Sequence, residues 1–100
     1  MVKHFESHIT IDLSVDHGFN EPHVVLEDEA ATEGFSYSSI TGDPVFGKKP
    51  YSYLTKHSAD KYHLEKKNRV MVSHLRNLGF RVVRMKIEEI VLDERYQVEV

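Results

Sequence analysis

The first stretch of this chain alternates. In "HFESHITIDLSV" (4–15), Phe5, Ile9, Ile11, Leu13 and Val15 fall on one face, interrupted only by Ser7. His4, Glu6, His8, Thr10, Asp12 and Ser14 fall on the other. A period of two predicts a strand with one buried and one solvated face, the habit of antiparallel sheets. "NEPHVVLEDEAATEG" then predicts a helix, with Asn20 as cap, Pro22 in the first turn and Gly34 as a left-handed stop. Its apolar stripe is thin: Val25, Leu26 and Ala30.

"FSYSSIT" and "PYSYLTKH" are rich in aromatic and β-branched residues and flank "GDPVFGKK". That predicts a hairpin with a long, basic tip. Ser58 or Asp60 is placed to cap the next helix, "DKYHLEKKNRVMVSHLRNLG", in which Leu64, Met71, Leu75 and Leu78 recur at helical spacing before Gly79. "FRVVRMKIEEIVL" follows as a strand, with Val83, Met85 and Ile87 on one side and Arg84, Lys86 and Glu88 on the other. "YQVEV" reads as a short C-terminal strand, at an edge or pairing with a partner chain.

The predicted order is β-α-β-β-α-β plus a tail. Both helices end in Gly followed by Phe and a strand ("EGFSY", "LGFRV"). Right-handed crossovers make each βαβ half skip a position, which a strand of the other half fills. The expected fold is an α+β, ferredoxin-like sandwich: a four-stranded antiparallel sheet, order 4-1-3-2, with both helices on one face. Its expected core holds Ile9, Ile11, Met71, Leu75, Leu78, Val83 and Met85.

Composition narrows the function classes without naming one. One hundred residues make a single domain, 1–100. A net charge of −3 argues against a nucleic-acid module that relies on overall basicity, although a local basic patch stays open. With no cysteine, thiolate chemistry and disulfides are excluded. No apolar run reaches bilayer length and "MVKHFESH" has no apolar signal core, so no membrane is expected and the expected location is cytoplasmic. No cofactor is expected.

Chemistry concentrates on the polar row. With Ile9, Ile11 and Leu13 turned to the helices, His8 and Thr10 lie on the open face of a central strand, and Arg84 and Lys86 project beside them from the neighbouring fourth strand. A histidine, a hydroxyl and two cations on one surface suit a small anionic, phosphate-bearing ligand. Cross-strand pairing of Glu6 or Asp12 with Arg84 or Lys86 accounts for the same charges without any ligand. The open face or the terminal strand also offers a route to a homodimer. A metal is not expected. His4 and His8, four apart on a strand, are separated by about 13 Å, and Glu6 with one histidine amounts to half a site. His63 and His74 share a helix face but lie roughly 16 Å apart along its axis. "GKKPY" is a small basic loop with neither the spacing nor the following helix of a Walker loop.

"SHITI" places histidine, apolar, threonine, apolar at the centre of a strand, and in this it resembles the signature of the two-histidine (2H, LigT-like) phosphoesterases. The resemblance implies that His8 is a general acid or base, that Thr10 holds a phosphate oxygen, and that the substrate is a cyclic phosphate or a 2',5'-linked RNA end. Those proteins use two such motifs; here a second His-x-Thr is missing, and "TKH" (Thr55 to His57) is the motif reversed. On an antiparallel strand a reversed motif presents its groups in matching order, which makes His57 the candidate second histidine. Against this, Tyr51 and Tyr53 share the face of His57 and form the more apolar half of their strand, so that face is expected to turn inward.

Overall fold

The computed structural model describes residues 2–40 and 51–92. The elements are β1 (Val2–Asp12), α1 (Pro22–Thr32), β2 (Ser36–Ile40), β3 (Tyr51–Ser58), α2 (Lys61–Leu78) and β4 (Arg81–Leu92). One antiparallel sheet carries the strands in the order β2-β3-β1-β4, so β1 and β3 are central. The hairpin tip, including Lys48 and Lys49, and "YQVEV" lie outside the described residues.

Both helices contribute to one core. Leu26 and Ala30 of α1 and Met71, Val72 and Leu75 of α2 form a single cluster with Ile9, Ile11 and Leu54 of the central strands. Phe35 and Phe80, each following a helix-terminating glycine, are also buried in it. Gly34 and Gly79 sit at φ +75° and +103°, a left-handed turn that ordinary side chains rarely adopt. Asp60 caps α2, its carboxylate accepting from the amides of Tyr62 (2.9 Å) and His63 (3.3 Å). Ser58 is not the cap; its hydroxyl accepts from the Asp60 amide.

Four sequence expectations need correcting. The first strand ends at Asp12, not Val15: the Asp12 carboxylate accepts from the amide and hydroxyl of Ser14, which turns the chain, and Val15 is left exposed. Asn20 does not cap α1; Glu21 stands at that position and makes no side-chain capping bond. Val83 and Met85 are not core residues, being 44% and 48% exposed. The register of β1 with β4 shifts between Thr10 and Ile11, so that Ile11 faces Val82 and Val83 becomes the extra residue of a bulge. Met85, opposite Ile9, does turn to the helix side, but α2 leaves it in an open groove of about 310 Å³ shared with Asn68 and Ile87.

The fourth correction concerns β3. Ser52 and Leu54 are its fully buried residues, and Tyr51, Tyr53, Thr55 and His57 take the opposite face. Pairing decides this: Leu54 lies opposite Ile9 and must share its side of the sheet. A tyrosine turned under the helices would also need a buried partner for its hydroxyl, a demand the open face does not make.

Beneath the helices lie a few polar groups. The Ser7 hydroxyl donates to Asn68 Oδ1, both residues being almost fully buried, and Asn68 Nδ2 has no hydrogen-bond partner among the described residues. Ser52 is satisfied by the Tyr37 hydroxyl at 3.0 Å. Lys67 of α2 donates to Glu33, the C-terminal cap of α1, at 2.7 Å, tying the two helices together.

Candidate functional site

The open face of the sheet is organised in three rungs centred on β1. Thr10 stands between Arg84 of β4 and Tyr53 of β3. His8 stands between Lys86 and Thr55, and Glu6 between Glu88 and His57. Because side chains alternate across a strand, the even positions of β1 share a face, and antiparallel pairing brings the matching positions of both neighbours to it.

All four residues expected from the sequence to bind an anion meet here. His8, Thr10, Arg84 and Lys86, with Tyr53 and Glu88, line a shallow concavity of about 300 Å³. His8, Thr10 and Lys86 are partly buried, whereas Arg84 is exposed and has no hydrogen-bond or ion-pair partner among the described residues. Lys86 is paired with Glu88 on its own strand, two positions away on the same face. That hydrogen bond is the main reason the Glu88 carboxyl is held below its ordinary value. The charge of Lys86, and more weakly those of His8 and Arg84, act in the same direction, while desolvation opposes them. The Lys86 pairing runs along the strand, not across to Glu6 or Asp12 as the sequence alternatives had it.

His57 lies one rung from His8, on the open face and about half exposed. Its Nε2 is 3.7 Å from Glu6 Oε1, and His8 Nε2 is 3.4 Å from the same oxygen. The two rings therefore point at one carboxylate, with their Nε2 atoms no more than about 7 Å apart. His4 stacks on His57 with ring centroids 5.7 Å apart. The His8 Nδ1 is 3.5 Å from the Thr55 hydroxyl, and its Nε2 is also 3.7 Å from Glu88 Oε2.

Glu88 and Tyr53 belong to this face yet carried no functional weight in the sequence, and Thr55 entered only as part of the reversed motif. Period-two alternation placed Glu88 with Arg84 and Lys86, but only the β1–β4 register sets it opposite Glu6. Tyr53 and Thr55 were obscured by the inward assignment of the β3 tyrosines.

No protein-family model and no curated protein matches this sequence. Among solved structures, the chain is similar to the de novo designed protein Foldit4, with a TM-score of 0.54 and 10% identity, over 90% of this chain and 99% of that one. At that identity the likeness concerns the fold alone. Among the described residues no helix is long and apolar enough to cross a membrane.

Proposed function

We propose that this chain is a ferredoxin-like βαββαβ sandwich acting as a small binding domain, whose open sheet face holds a phosphate-bearing anion. The observation that carries the reading is the upper rung of the face. Arg84, a guanidinium without a partner among the described residues, stands across from the Thr10 hydroxyl at the edge of a concavity that also holds Lys86, His8 and Tyr53. A guanidinium presents a planar fork of donors that matches a phosphate, and a hydroxyl beside it supplies one further donor. The carboxylate of Glu88 is offset by its bond to Lys86.

The test is an amide-resolved NMR titration with inorganic phosphate and with a nucleoside 5'-monophosphate. Shifts should centre on Thr10, Tyr53, Arg84 and Lys86 and weaken as salt rises, as exposed charges are screened. Arg84→Ala should weaken binding by roughly tenfold to a hundredfold, the loss of about 1.5–3 kcal/mol for a hydrogen bond to a charged group. Absence of shifts on these rungs would remove the reading. Concentration-dependent shifts without any anion would instead assign the face to a second copy of the chain.

A second reading, a 2H-like phosphoesterase, is favoured by one feature: His8 and His57 both direct Nε2 toward the same point on the open face. One imidazole would take the proton of the attacking hydroxyl and the other would protonate the leaving oxygen. The obstacle is Glu6, whose carboxylate occupies that point and repels a phosphate. Turnover of a 2',3'-cyclic phosphate, lost in His8→Ala and in His57→Ala by roughly 10²–10⁴-fold, is the result this reading requires.

A further inference from the structure

Opposite the cationic rung, the lower part of the face poses an electrostatic problem. Glu6 and Glu88 are directly paired across β1 and β4, and like charges in that position destabilise a sheet. His8 lies beside both, its Nε2 3.4 Å from Glu6 Oε1 and 3.7 Å from Glu88 Oε2. We propose that Glu6, His8 and Glu88 form a binding site for a divalent transition-metal ion of the zinc kind.

Three features of the geometry support it. Ligand atoms about 2.0–2.2 Å from a tetrahedral zinc lie roughly 3.3–3.6 Å from one another. The two His8–carboxylate separations of 3.4 and 3.7 Å are close to that edge, and all three donor atoms lie within 4.8 Å of one another. The second feature is the His8 ring. Its Nδ1 faces the Thr55 hydroxyl at 3.5 Å, and when Nδ1–H donates there the Nε2 lone pair points between two carboxylates. This is the support that metal-bound imidazoles use to fix tautomer and orientation. The third is the division of labour on Glu88: Oε1 accepts from Lys86 while Oε2 faces His8, so a metal taken through Oε2 leaves the lysine pair in place. His57 Nε2 also lies 3.7 Å from Glu6 Oε1.

The sequence missed this site because it offered only one strand. His4 and His8 are too far apart to share an ion, and the missing donor comes from β4 through the register that sets Glu88 opposite Glu6. One histidine and two carboxylates leave a fourth position for water, a pattern of open zinc sites.

The experiment is a calorimetric titration of the chelator-treated protein with ZnCl₂ alone, so its outcome does not depend on the anion reading. A parallel titration with CoCl₂ is followed by visible absorption. One equivalent should bind with a micromolar or tighter Kd. Glu88→Gln and His8→Asn should weaken it by at least roughly tenfold and remove the cobalt band. His74→Gln, which removes a histidine–carboxylate contact away from this face (with Glu29, between the helices), should leave it unchanged. Far-UV circular dichroism checks folding. Should His8→Asn fail to fold, Glu88→Gln decides, since that side chain is 46% exposed. Wild-type binding no tighter than millimolar would overturn the proposal, as would wild-type affinity in folded Glu88→Gln. A proton on His8 bridging the two carboxylates would give the first of these results.

Discussion

The buried Ser7–Asn68 pair is the place where the packing of this domain can be tested most sharply. Both residues are almost fully buried, their one mutual hydrogen bond runs from the Ser7 hydroxyl to Asn68 Oδ1, and Asn68 Nδ2 is unpaired among the described residues. Ser7→Ala removes the one partner of the Asn68 side chain among the described residues and leaves both ends of the amide unpaired there, a cost of about 1–3 kcal/mol. Asn68→Leu keeps the branched shape and removes the orphaned donor, but leaves the Ser7 hydroxyl alone in an apolar setting. The two changes nearly cancel, with a few tenths gained from the better helix propensity of leucine. The double variant Ser7→Ala/Asn68→Leu leaves no unpaired group and should exceed the wild type by about 1–3 kcal/mol. Urea denaturation of the four proteins measures this. At an m-value of about 1–1.5 kcal/mol/M the double variant's midpoint should rise by roughly 1–2 M and that of Ser7→Ala should fall by a similar amount. A double variant less stable than the wild type would refute the reasoning, because it would mean that the amide is satisfied and its network is worth more than dry packing.

Other parts of the structure give further expectations. Leu75→Ala, at a fully buried position of the core cluster, should cost about 2–5 kcal/mol and lower Tm by at least roughly 10 °C; an unchanged Tm would mean that α2 does not pack as described. The Glu33 carboxyl is held below its ordinary value of about 4.5, chiefly by the hydrogen bond from Lys67. A lowered native value means that the pair's contribution is complete above the unfolded carboxylate value and is lost as pH falls through the native one. Glu33→Gln should therefore flatten the acid limb of a Tm-against-pH profile and leave its slope above pH ~6 unchanged. Val83→Thr should cost no more than about 0.5 kcal/mol, since Val83 is the exposed residue of the bulge, and a loss above 1.5 kcal/mol would put it back in the core.

Periodicity carried the element types and left pairing open. The α2 cap and stop were legible because Asp60 and Gly79 act locally, through an Asx side chain and a positive φ. The bulge at Val83 was not legible, since "RVVRM" alternates as well with Val82 inward as with Val83; only the fit of Ile11 against β4 chooses between them. The faces of β3 were misjudged for a related reason. Judged by its own side chains, the tyrosine half of "YSYLTKH" is the more apolar, but one residue, Leu54 opposite Ile9, sets which half is covered. His8, Thr10, Arg84 and Lys86 could be grouped because each follows its strand's own alternation. Glu88 opposite Glu6 could not, because that depends on register between segments about eighty residues apart.

The same register separates the face into two ends that should act independently. Glu6 and Thr10 are four residues apart on β1, about 13 Å, while the screening length at physiological salt is about 8 Å. The Thr10 rung with Arg84 and the Glu6 rung are thus separated by more than one screening length, and His8 and Glu88 are the residues that belong to both the concavity and the donor set. Arg84→Ala should therefore weaken phosphate binding while changing zinc affinity, measured without phosphate, by less than about threefold. Glu88→Gln should weaken zinc and leave phosphate affinity, measured without zinc, equal or slightly higher, because it frees Lys86 from its partner on the strand. Calorimetry of both variants against each probe separately gives four affinities. If both variants lose both ligands in parallel, the face is one site, and the three rungs do not divide it as their charges suggest.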